Sequence, residues 1–188
     1  PALRVAESRR GMYAAFLDRI ESRKCEGVRL LDIGCGKGYF PAQAKERGWN
    51  AEGVDIVPDL IHKGREEFGV ELHCGDFEKM DFSGKQFDII TMWNVCEEMD
   101  EPVTVIKNIK ILLKQGGVLF IRTTNSVFHR FSFFIFRIAH GLRLDGLLPK
   151  HSFIFHRFSF SNAVLGKILK KQGFVNIGIQ NSKPTQGD

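Results

Sequence analysis

The sequence predicts an α/β fold, three layers deep, with a mostly parallel sheet between two sets of helices. Short apolar runs alternate with amphipathic stretches of helical period along most of the chain. The stretch Leu30 to Phe40, LLDIGCGKGYF, passes from apolar to acidic to glycine-rich to helix-forming, which is the pattern of a strand, a tight turn and a helix start. Acids recur at the ends of the next two strand-like runs, at Asp55 and Asp76. At 188 residues, 43% hydrophobic and 26% charged, the chain has the size and composition of one domain, residues 1–188, with a sizeable core.

The elements follow in order. Leu3 to Arg23 is amphipathic and predicts a helix packed on the sheet, with Arg9, Arg10 and Tyr13 as the residues that could reach over a ligand. Val28 to Ile33 is nearly all apolar, as a central parallel strand buried on both faces should be. The helix after the glycine turn runs to about Arg47 and stops at Gly48. Asn50 to Asp55 predicts the second strand, Pro58 to Phe68 a helix closed by Gly69, and Val70 to Cys74 a short third strand. Gly84 to Trp93 predicts the fourth strand. Pro102 to Gln115 predicts a helix stopped by Gly116-Gly117, and Val118 to Thr124 the fifth strand. Ser161 or Asn162 caps a helix that runs to Gln172, and Phe174 to Ile179 predicts a sixth strand.

The glycine turn carries the chemistry. Its helix start aims N–H groups and a positive dipole end at whatever lies over the turn. Gly34, Gly36 and Gly38 alternate, so the third glycine falls one residue early for G-x-G-x-x-G, and Tyr39 fills the slot that a dinucleotide site needs as glycine. An NAD(P)-dependent reductase is therefore disfavoured. Asp55 lies about twenty residues beyond the turn, where an acid accepts from a ribose diol in nucleotide-binding α/β units.

Asp-x-Gly-x-Gly-x-Gly at Asp32 to Gly38, with Gly75-Asp76-Phe77, the Phe87-Asp88 pair and LLKQGGVLFIRTTN, resembles class I S-adenosylmethionine (SAM)-dependent methyltransferases. His156 to Ser161 resembles a stretch of the ubiquinone-biosynthesis-like branch. The resemblance implies a Rossmann-like sandwich with strand order 3-2-1-4-5-(7)-6. The seventh strand is expected to be absent or to lie beyond the polar tail SKPTQGD, and the start at Pro1 is expected to mark a processed or trimmed product. It implies SAM as cofactor: Gly34, Cys35, Gly36 and Gly38 beside its methionine part, Asp32 shaping the turn and reaching its amino group, Asp55 and Ile56 at the ribose, Asp76 and Phe77 at the adenine, and Asn94 facing the methionine part and the acceptor. Where many relatives read Val-Leu-Glu-His, this chain reads Val95-Cys96-Glu97-Glu98, so Glu98 replaces a histidine. Candidate bases are His156, His129 and Glu98. The reaction implied is methyl transfer to a small-molecule acceptor, an O-methylation of an aromatic or lipophilic molecule. A SAM-binding protein without catalysis is the other reading.

Residues 128–160 hold an unusual share of the seventeen phenylalanines. On a helix His129, Arg130, Arg137, His140 and Arg143 share one side, and Phe131, Phe134, Ile135, Ile138 and Leu142 the other. This reads as a lid that binds the acceptor, or as an interfacial surface over 128–143 that meets a membrane. Net charge is +5, too mild to argue for nucleic acid, and no nucleic-acid motif accompanies it. Cys25, Cys35, Cys74 and Cys96 form no C-x-x-C pair, which argues against zinc and for reduced thiols in a cytoplasmic protein; no metal is expected. No apolar run reaches the length of a membrane span.

Overall fold

The computed structural model describes residues 2–21, 27–126, 134, 137 and 157–181. Five parallel strands form its centre. β1 (Arg29–Ile33) pairs with β2 (Asn50–Asp55) on one side and β4 (Phe87–Trp93) on the other. β3 (Glu71–Cys74) lies outside β2, and β5 (Leu113–Arg122) outside β4. The order is β3-β2-β1-β4-β5, as expected for the first five strands. Every strand ends at the same edge, so the residues that follow β1, β2, β3 and β4 are gathered there.

Helices cover both faces because parallel connections need crossovers. α1 (Ala2–Glu21), α2 (Tyr39–Glu46) and α3 (Pro58–Phe68) lie on one face; α4 (Pro102–Leu112) and α5 (Asn162–Lys171) lie on the other. Strand alternation divides the core accordingly. Leu30, Ala51 and Ile89 pack under Leu17, Phe40 and Ala44. Leu31, Ile33, Val54, Ile90 and Met92 pack under Val105, Ile106, Ile109 and Leu165. Each fully buried aliphatic side chain contributes about 1.5–3 kcal/mol relative to exposure. Local signals set the ends. Pro58 opens α3 and Gly69, at φ 55°, closes it with its N–H on Arg65 O at 3.0 Å. The Ser161 side chain accepts the Val164 N–H at 3.3 Å to cap α5.

Asp88 ties the sheet together. Its Oδ2 accepts the Arg29 N–H at 3.0 Å and Lys114 Nζ at 2.8 Å, joining the start of β1 to β5. Phe87 beside it is fully buried, with the Arg29 guanidinium over its ring.

Two expectations are corrected. The helix expected to reach Gln115 ends at Leu112, and β5 begins at Leu113, which pairs with Phe87. Val118 then pairs with Ile89, so β5 advances five residues while β4 advances two. The Gly116-Gly117 pair is thus an irregularity inside a strand rather than the turn before it. Gly116 has φ 72°, and a Cβ on Gly117 would lie 2.9 Å from Lys114 O. Residues 174–179 do not form the sixth strand. In the expected order that strand adjoins only a seventh. Among the described residues the sheet ends at β5, so these residues have no ladder to join. The Phe-rich segment lies almost wholly outside the described residues, and so do His129 and His156. No helix among the described residues is long and apolar enough to cross a membrane.

Candidate functional site

The glycine turn closes directly onto β2. The N–H groups of Gly34 and Cys35 both donate to Val54 O, at 2.8 and 3.0 Å. Gly34 has φ 71°, and a Cβ there would lie 2.5 Å from Val95 Cγ2. The turn after β4 is therefore pressed against the turn after β1, which only glycine permits. Gly36 differs. It also has a positive φ, 55°, but a Cβ on it would meet nothing within 4 Å. It faces open space above the strand ends, the position from which a bound molecule would approach the backbone closely. Gly38 sits at the N-terminus of α2 against Leu72. Cys35 turns its thiol inward against Gly53, and burial first, then the charges of Asp32 and Asp55, push its pKa far up.

Asp55 holds the turn from the next strand. Its Oδ2 accepts the Gly36 N–H at 2.7 Å and its Oδ1 the Val57 N–H at 3.0 Å. Each oxygen keeps a second acceptor direction, as a carboxylate bridging a diol requires. Ile56 next to it is 67% exposed, an apolar residue at the lip. The Gly75 N–H donates to Asp55 O at 2.9 Å, which draws the loop after β3 to the same edge. In that loop Asp76 accepts the Glu78 N–H at 3.0 Å and pairs with Lys79 at 2.8 Å, and these bonds hold its carboxyl below the usual range. Phe77 is buried against the Phe82 ring, centroids 5.4 Å apart.

Asp32 is 2% exposed, and Thr91 Oγ1 donates to its Oδ1 at 2.6 Å. Burial pushes its pKa up to about 8; the Asp55 charge adds to this and the Thr91 bond opposes it. A cation arriving at the turn would find a carboxyl that gains from ionising beside it.

After β4, Asn94 takes φ 56°. Its N–H donates to Arg122 O at 2.8 Å and its Oδ1 accepts Arg122 Nη1 at 2.6 Å. Beneath it Trp93 packs among Tyr13, Phe16, Phe40 and Phe120, at centroid distances of 4.8, 5.5, 5.1 and 4.5 Å. Tyr13 is thus part of an aromatic floor under the strand ends. A short 3-10 turn, Cys96–Glu98, follows. Glu98, one of the three candidate bases, is exposed. Its neighbour Glu97 is fully buried, and among the described residues neither of its carboxylate oxygens has a hydrogen-bond partner. Sequence reasoning passed over Glu97, and also Thr91, Thr123 and Thr124; the hydroxyls of the last two are buried and unpartnered. The one signal was the double acid Glu97-Glu98, and which of the two is buried depends on chain distant in sequence.

Glu52, Glu71 and His73 also converge, with His73 Nε2 3.2 and 3.3 Å from the two carboxylates. Lys85 Nζ already stands 2.5 Å from Glu52 and Arg29 3.4 Å from it. Burial raises the Glu52 carboxyl, but the bonds from Lys85 and His73 outweigh it and the net shift is downward. The cluster is a charge-balanced network on β2 and β3.

Comparison with known proteins agrees with this layout. A family model described as a methyltransferase domain matches residues 5–178. The ubiquinone biosynthesis O-methyltransferase of Coxiella burnetii (strain Dugway 5J108-111) is 30% identical over 138 residues, covering 71% of this chain and 58% of that protein. The chain therefore spans less than two thirds of the length of this relative. Among solved structures, CalS10 with SAM bound, an amino pentose methyltransferase from Micromonospora echinaspora, is 28% identical with a TM-score of 0.53, covering 60% of this chain and 50% of its own. The PH0226 protein of Pyrococcus horikoshii OT3 shares the fold, with a TM-score of 0.65 at 22% identity over 87% of this chain and 81% of its own.

Proposed function

This chain belongs to the class I SAM-dependent methyltransferase family, and from that premise we propose that it transfers the methyl group of SAM to a hydroxyl of a small aromatic or lipophilic acceptor. The observation that carries the reading is the turn from Gly34 to Gly38, open above Gly36 and held by Asp55. The 30% identical relative named for ubiquinone biosynthesis O-methylation supports the hydroxyl acceptor and its lipophilic character.

In this reading Asp55 accepts from the two ribose hydroxyls while keeping its bonds to Gly36 and Val57. Ile56 lies along the ribose edge, and Asp76 and Phe77 border the adenine. Asp32 ionises beside the amino group of the methionine part, and Gly34, Cys35, Gly36 and Gly38 let that part lie against the backbone. Asn94 borders the methionine part and the acceptor. SAM, when bound, supplies a methyl already activated on a sulfonium. What remains for the chain is to align the acceptor oxygen with that methyl and to exclude water. The cytoplasm is the proposed location, a reading supported by the free thiols of Cys35, Cys74 and Cys96. Contact of residues 128–143 with a membrane surface is part of the proposal, resting on their sequence pattern.

The test is direct. Calorimetry with S-adenosylhomocysteine should show binding, and labelled SAM should methylate a catechol. Binding without transfer to any hydroxyl acceptor would favour a non-catalytic SAM-binding protein, and absence of binding would sink the reading.

A further inference from the structure

We propose that Glu97 is the group that takes the proton from the acceptor hydroxyl during methyl transfer. This rests on the reading above and names the catalytic residue for it.

Glu97 is 0% exposed, and among the described residues neither Oε1 nor Oε2 has a hydrogen-bond partner. A buried carboxylate with nothing to accept from is among the costliest arrangements a fold can hold, and it persists where something else depends on it. Its place supplies that something. The turn that carries Glu97 follows β4 directly, and Val95, two residues earlier, touches Gly34 of the glycine turn. From the other side the Phe158 N–H donates to Glu97 O at 2.9 Å, and Phe160 O accepts the Ser126 N–H at 3.1 Å. Residues 158–160 thus bind the Glu97 turn to the chain just after β5. Just after β5, Thr123 Oγ1 and Thr124 Oγ1 are also buried and without partners among the described residues. A buried polar group without a protein partner is one that a bound polar molecule can complete. Cys96 beside Glu97 does not compete for the role: burial, then the Glu97 charge, push its thiol up to about 12. Glu98 is exposed, on the solvent side of the turn that buries Glu97.

The step balances. The acceptor O–H bond breaks and its proton passes to a Glu97 oxygen. The acceptor oxygen forms the bond to the methyl carbon, the carbon–sulfur bond breaks, and its electron pair returns to sulfur. A methyl ether and neutral S-adenosylhomocysteine result, and the proton leaves Glu97 for water.

The experiment compares the purified wild-type protein with Glu97→Gln and Glu97→Asp, using catechol and 4-nitrocatechol as probe acceptors. A hydroxyl of 4-nitrocatechol is already ionised at neutral pH and needs no base. Glu97→Gln should lose about 100-fold or more in turnover of catechol but less than about 10-fold with 4-nitrocatechol, on the same scale. It should bind S-adenosylhomocysteine as wild type does and melt no lower in the unliganded state. Glu97→Asp should recover part of the catechol turnover. An equal loss on both probes, full activity on both, or a clear fall in melting temperature overturns the assignment. Should wild type bind S-adenosylhomocysteine yet methylate neither probe, the catechol acceptor proposed above is what fails. The melting comparison then decides this inference, a Glu97→Gln that melts no lower supporting a group kept for function and a fall refuting it.

Discussion

Thr91 Oγ1 donates to Asp32 Oδ1 at 2.6 Å across two adjacent strands, and the carboxyl it meets is buried at the root of the glycine turn. Burial lifts that carboxyl from 3.8 to about 8. The unfolded chain ionises near 3.8 and the folded chain near 8, so between those values the unfolded state has lost a proton that the folded state retains. Stability from this group is therefore whole below pH 3.8 and declines as pH rises toward 8. Asp32→Asn should remove the decline. Denaturant melts of wild type and variant should diverge in the variant's favour, by at most about 1.4 kcal/mol per pH unit. The variant should bind SAM more weakly. Parallel stability curves from pH 4 to 8 would show that Asp32 is ionised in the fold.

Gly34 and Gly36 separate folding from binding. Gly34→Ala puts a Cβ 2.5 Å from Val95 Cγ2 at φ 71°, and should cost about 1–3 kcal/mol in stability. Gly36→Ala meets no neighbour within 4 Å and pays only for its φ of 55°, about 1 kcal/mol. It should nonetheless weaken S-adenosylhomocysteine binding, because the new methyl points into the ligand's space. Thermal melts and calorimetry on both variants check this, and an unimpaired Gly36→Ala would move the ligand elsewhere.

Asp55→Ala removes the acceptor of the Gly36 and Val57 N–H bonds together with the proposed ribose contact. Binding of S-adenosylhomocysteine should fall by about 100-fold, the scale of two lost charge-assisted bonds. Asp55→Asn keeps an acceptor and should lose less. Calorimetry reads both.

Phe40 is 1% exposed at the centre of the aromatic floor, 5.1 Å from both the Tyr13 and Trp93 centroids. Phe40→Ala should cost about 3–5 kcal/mol in a denaturant melt. A loss under 1 kcal/mol would mean that the floor collapses freely into the cavity.

Much of this was legible in the chain itself. The glycine turn, Asp55 and Asp76 were readable because each depends on a local rule. Glycine supplies the positive φ, and an acid placed at the end of a parallel strand arrives at the shared edge whatever the rest of the chain does. The order β3-β2-β1-β4-β5 is the one that the resemblance to class I methyltransferases implies. Register and burial were a different matter. Leu113 joins β5 because Phe87 offers it a partner, which overrides the helical spacing before it. Residues 174–179 carry strand-like sequence but have no neighbouring strand among the described residues to receive it. The choice between Glu97 and Glu98 is the sharpest case. The two are identical in type and adjacent in the chain, so sequence determined that an acid follows β4 but not which one is buried. Phe158, some sixty residues away, bonds its N–H to Glu97 O, and in the packed molecule Glu97 is buried while Glu98 is exposed. Burial of one neighbour and exposure of the other is a property of the packed molecule, and it is what sets apart two carboxylates that are otherwise the same.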